Sequence, residues 1–140
     1  MSTIFNAAMD VEDAYYDAID EDDLDGMMSV WADTKDIACL LPMQPIHHGR
    51  EEIQALWKTM LDPEMKVDIV VNHLQWIELG DTAIHLLEEV VTLVGSEQSQ
   101  PPIYATNVYH RGDSGWHLLL HLNSPAPMPP AGVLPPIPGT

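Results

Sequence analysis

From Lys66 to Asn123 the chain alternates apolar and polar residues with a period of two, and it breaks that alternation with turn residues at Gly80-Asp81 and at Gly112-Asp113-Ser114-Gly115. A period of two puts successive side chains on opposite faces of a strand, so this stretch predicts four strands: about Lys66–Leu79, Thr82–Val94, Ile103–Arg111 and Trp116–Asn123. Glycine in Gly80-Asp81 can take the positive φ of a tight hairpin, which sets Leu79 opposite Thr82. In that register Val70, Asn72, Leu74 and Trp76 share a face with Ala83, His85, Leu87, Glu89 and Val91, and His73 lies on the other face across from Glu88. In the second hairpin Ala105, Asn107 and Tyr109 share a face with Trp116, Leu118, Leu120 and Leu122, while His117, Leu119 and His121 take the other. Both faces carry too many apolar residues to lie in water, so one must meet helices and the other a second subunit.

The helices must therefore come from the first half. Between Ile4 and Asp22, Ala7, Val11, Ala14, Tyr15, Ala18 and Ile19 recur at steps of three and four, as on the buried face of a helix. Its many acids, Glu12 among them, read as a solvated face, because they lack the spacing and central glycine of a calcium loop. Asp23 is placed to cap a short second helix through Trp31. Asp36–Leu41 reads as a short buried strand stopped by Pro42, and Gly49 turns the chain into a helix from Arg50 to Leu61 that ends at Asp62-Pro63. The fold class is α+β, about three N-terminal helices on a mostly antiparallel sheet. One domain is expected over residues 1–124, followed by a proline-rich tail, 125–140, whose Val133, Leu134 and Ile137 need an apolar groove to be ordered.

A formal charge of −17 with only five Lys and Arg repels phosphate backbones and anionic headgroups, which argues against nucleic-acid and membrane partners. A lone cysteine, Cys39, excludes an internal disulfide and reads as inert core. No basic region precedes an apolar run at the N-terminus, so the expectation is a cytoplasmic protein. Seven histidines invite a metal, but His117 and His121 are four apart on one strand, roughly 13 Å at the usual rise, and no Cys/His cluster is present. With no glycine-rich phosphate loop and no nucleophile elbow, no cofactor is expected.

The order of helix, helix, strand, Gly49-Arg50-x-x-Ile53 helix and then strands resembles the NTF2-like superfamily, in particular its SnoaL-like and ketosteroid-isomerase-like members. That resemblance implies a cystatin-like cone. Tyr15 ahead of Asp23-Leu24-Asp25-Gly26 matches the position of the isomerases' oxyanion-binding tyrosine, whereas the position of their catalytic aspartate falls on Leu41, which disfavours steroid isomerisation. His110-Arg111, Gly115-Trp116 and Ser124-Pro125-Ala126-Pro127 are similar to the association domain of calcium/calmodulin-dependent kinases. That family's two pocket arginines fall here on Glu89 and Asn107, and the histidines of its last strand on Leu120 and Leu122.

These readings converge on an apolar pocket for a small hydrophobic molecule. Trp31, Trp57, Trp76, Leu87, Leu120 and Leu122 are expected to line it, with His85, Asn107 and Tyr109 supplying polarity. Glu89 is the candidate acid or base, because a carboxylate among Leu87 and Val91 is costly unless something compensates it, and Tyr15 is the candidate donor to a ligand oxygen. Cofactor-independent cyclisation, isomerisation or dehydration by proton transfer fits such a site. A non-catalytic ligand-binding or assembly module fits the same residues, and either would form a homodimer through the sheet.

Overall fold

A computed structural model describes residues 4–95 and 100–127. Three helices, α1 (Ala8–Glu21), α2 (Leu24–Val30) and α3 (Gly49–Met60), pack on one face of a six-stranded open sheet. The strands are β1 (Ala38–Leu40), β2 (His47–His48), β3 (Val67–Leu79), β4 (Thr82–Leu93), β5 (Ile103–Gly112) and β6 (Gly115–Pro125), in the order β2-β1-β6-β5-β4-β3. Every pair is antiparallel except β1 with β6. The two-residue strand β2 was not legible in the sequence, and β6 runs on to Pro125. The proline-rich tail from Met128 lies outside the described residues.

Local chemistry accounts for the helices. Asp23 caps α2 by accepting from the Gly26 N–H at 3.0 Å. Arg50 closes the other end, donating to the carbonyls of Met28, Trp31 and Ala32 that the helix itself leaves unpaired. Gly49, at φ 80°, supplies the left-handed step into α3. On α3, Ile53, Leu56 and Trp57 are buried one turn apart, each contributing about 1.5–3 kcal/mol from the area removed from water. The first helix starts later than its apolar pattern, because Phe5 leaves it to bridge Gly115.

Helices cover one face only, so burial alternates along β4: Ala83, His85, Leu87 and Glu89 are buried, while Ile84, Leu86 and Val90 on the other face are half-buried. Val108, Leu120 and Leu122 continue that outer face across β5 and β6.

Both hairpins keep the expected pairing at their turns, Leu79 with Thr82 and Arg111 with Trp116. Each then carries one bulge. An extra residue at Leu74 and another at Leu119 shift the register by one, and a one-residue shift exchanges the two faces of everything beyond it. His73 therefore pairs with Leu87 on the helix-covered face, and Asn72 takes the outer place across from Glu88, bonding it at 3.0 Å. His121 likewise pairs with Asn107 on the covered face, and Leu120 and Leu122, expected to line the pocket, face outward.

Candidate functional site

At the end of the sheet where β4 meets the start of β5, the covered face is not filled. A cavity of about 770 Å³ opens there between α1, α3 and the sheet. Its walls are mainly apolar, among them Ile19, Leu41, Trp57, Val91 and Ile103, and its polar groups include Tyr15, Glu89, His121 and Asn123. Leu41, at the position matched to the isomerases' aspartate, is an apolar part of the wall.

Glu89 is 4% exposed, and its compensation comes from two neutral donors. The Tyr16 hydroxyl donates to Oε2 at 2.6 Å, and Asn123 Nδ2 donates to Oε1 at 3.1 Å. One donor on each oxygen suits an ionised carboxylate, which only accepts. Asn107, expected from the sequence to supply polarity to the pocket, bonds His121.

Burial lowers the pKa of His121, against the pull of Glu89 and Asn123, so the ring is held neutral. Asn123 Nδ2 also donates to the Tyr104 carbonyl, which fixes its Oδ1 towards His121 Nε2 at 3.1 Å and makes that nitrogen the protonated one. Nδ1 then needs a donor, and Asn107 faces it with Oδ1 at 2.5 Å, while the buried Nδ2 of Asn107 makes no hydrogen bond. Rotating the Asn107 amide by half a turn would give His121 Nδ1 the donor it needs and Nδ2 a partner.

Burial also pushes the hydroxyls of Tyr15 and Tyr16 well above the ordinary tyrosine range, with the negative charge of Glu89 adding to it, so both remain proton donors. Tyr16 spends its proton on Glu89. Tyr15, whose ring lies 4.8 Å from that of His121 and 5.6 Å from that of Trp57, lines the cavity, and its hydroxyl bonds no other described residue.

A second polar cluster lies farther along the same face, beyond the fully buried Leu87. Glu12, read from the sequence as a surface acid, is 2% exposed there. His73 Nε2 and His85 Nδ1 each donate to a different one of its oxygens, at 2.5 and 2.7 Å, and the Tyr109 hydroxyl approaches at 3.4 Å. Burial by itself would raise Glu12, but the hydrogen bonds and charges of the two histidines outweigh it and hold the carboxyl below its usual range. Trp76 stacks on His85 at 4.6 Å and is 47% exposed. Among the described residues no group of three His, Cys, Asp or Glu has the geometry of a metal site.

The residues singled out from the sequence thus separate. Glu89, Tyr15 and Trp57 meet at the cavity; His85, Tyr109 and Trp76 belong to the Glu12 cluster; Asn107 stands between the two; Trp31 is buried in the core against Leu118. Tyr16, His121 and Asn123 were missed. A second tyrosine beside Tyr15 was a signal for the first of these, but nothing local announces the bulge that turns His121 inward. Cys39 is fully buried and its thiol is pushed up to about 12 by burial, as its apolar strand implied. No described helix is long and apolar enough to cross a membrane.

The SnoaL-like domain family matches residues 8–129 of the chain. Among solved structures, a proposed calcium/calmodulin-dependent protein kinase type II association domain from Thiobacillus denitrificans is 32% identical, covers 90% of this chain and 100% of its own, and superposes with a TM-score of 0.84. A proposed dehydratase of the NTF2-like family from Streptomyces avermitilis is 25% identical over 84% of this chain and 92% of its own, with a TM-score of 0.74. A Nostoc punctiforme domain of unknown function with a cystatin-like fold, 19% identical over 84% of this chain and 74% of its own, agrees in fold alone with a TM-score of 0.72. No curated protein matches the chain significantly.

Proposed function

The chain belongs to the SnoaL-like family, with the NTF2-like cone expected from its sequence, and from its geometry we propose that it binds a small, mostly apolar molecule in the cavity and moves a proton on it through Glu89. One observation carries this reading: a buried carboxylate, held by Tyr16 and Asn123, faces about 770 Å³ of largely apolar space. Such a group can take a proton from a carbon next to a carbonyl. The carbonyl oxygen, drawing the electron pair, accepts a hydrogen bond from Tyr15. Returning the proton to another carbon is an isomerisation; delivering it to a departing hydroxide releases water and is a dehydration, the activity proposed for the Streptomyces relative. Neither needs a cofactor.

Native mass spectrometry of the protein purified from cells, followed by proton exchange of the bound molecule in deuterated water, tests this. Wild type is expected to exchange its acidified C–H, and Glu89→Gln to slow that exchange by about 100-fold or more. A bound molecule that exchanges no faster on wild type than on Glu89→Gln contradicts it.

A second reading, a non-catalytic assembly module, is supported by the outer sheet face, where Val70 and Leu74 are 53% and 55% exposed and no element of the described chain lies over them. The Thiobacillus relative, named as an association domain, agrees with it. A dimer through that face is compatible with both readings. Sedimentation at micromolar concentration is expected to show it, and a monomer contradicts it.

A further inference from the structure

Resting on the cavity reading above, we propose a class of ligand for it: a compact apolar molecule that carries a basic amine, taken in preference to the same molecule carrying a carboxylate. The inference follows from charge. Glu89 is bonded only by the neutral donors Tyr16 and Asn123, and a carboxylate with one bond on each oxygen keeps acceptor capacity for an ammonium. No lysine or arginine among the described wall residues answers it. His121 Nε2 is 3.8 Å from Glu89 Oε2, too far for a hydrogen bond, and its N–H is engaged with Asn123 at 3.1 Å instead. Among the described lining residues the remaining charged ones are Asp22 and Asp62, and none is lysine or arginine. Lys66 stands next to the rim, where it is held by Asp22 at 2.9 Å and by the Asp20 carbonyl.

An arriving carboxylate would thus meet Glu89 in an apolar, poorly screened space with no partner for its own charge, which is the costly arrangement. An ammonium would complete the buried Glu89 carboxylate while its apolar body lies against Trp57, Val91 and Ile103. The −17 charge of the chain draws cations towards the mouth as well, but that attraction is general and salt-screened, whereas the contact with Glu89 is local.

Isothermal titration of the full chain with phenylbutylamine, phenylbutanol and phenylbutyrate, three probes of one skeleton, separates these effects at about 0.15 M salt. The amine is expected to bind about tenfold tighter than the alcohol, and the carboxylate about tenfold weaker. In Glu89→Gln the three should converge to within about threefold. Wild type binding the carboxylate as tightly as the amine overturns the proposal without any variant, and so does an amine preference that persists in Glu89→Gln. If neither the alcohol nor the amine binds, the cavity reading falls, and the ligand class with it.

Discussion

Glu12 and Glu89 are both buried carboxylates beneath the helices, each bonded by a tyrosine hydroxyl and each close to histidine, yet their surroundings differ. Around Glu12 the chain supplies every partner: two histidines and Tyr109 converge on it, Trp76 covers His85, and Leu87 closes the space behind. Around Glu89 the partners come from one side only, and the other side is cavity. A buried acid with a perturbed environment is therefore a sign of function only where the fold leaves it volume; where the fold fills that volume, the same residues fasten a helix to a sheet.

Removing each acid is the strongest way to break that comparison. Glu12→Ala leaves His73, His85 and Tyr109 without their common acceptor and should cost about 3–5 kcal/mol in urea denaturation. Glu89→Gln keeps an acceptor for Tyr16 beside an open cavity and should change stability by only about 1 kcal/mol. Equal losses would mean that Glu89 is as structural as Glu12.

The pH dependence sharpens it less strongly. His121 has its pKa lowered in the fold, so its contribution is complete above the ordinary histidine value of about 6.5 and is lost as pH falls from there towards the lowered value, the interval in which the unfolded chain binds the extra proton. Glu12, held low, loses its contribution only at more acid pH, as pH falls through its depressed value. His121→Gln should therefore flatten the stability profile just below about pH 6.5 and leave the acid limb in place, and an unchanged profile would show that the fold does not lower the pKa of His121.

What the sequence made legible was what short-range chemistry decides. Asp23 and Gly49 set helix starts, Asp62-Pro63 a helix end, and Gly80-Asp81 a hairpin, and all act within a few residues. The two bulges were hidden, because β3 and β6 are apolar on both faces and read equally well in either phase. Their positions place His73 against Glu12 and His121 against Asn107, partners distant in sequence. Glu12 was hidden for the same reason: along its helix it is one acid among many, and only the histidines brought by the sheet show that it is buried. Glu89 and Tyr15 could be singled out because an acid between Leu87 and Val91, and a tyrosine on an apolar helix face, are conspicuous without knowledge of the fold.

The central claim, that the Glu89 end receives a ligand and the Glu12 end does not, is tested most directly by following backbone amide resonances while an apolar probe, phenylbutanol, is titrated into the labelled protein. Saturable shifts are predicted at Glu89, Val91, Ile103, His121 and Asn123, with Glu12, His85 and Tyr109 silent. Shifts confined to the Glu12 cluster or to the outer sheet face, with the cavity residues unmoved, would contradict it.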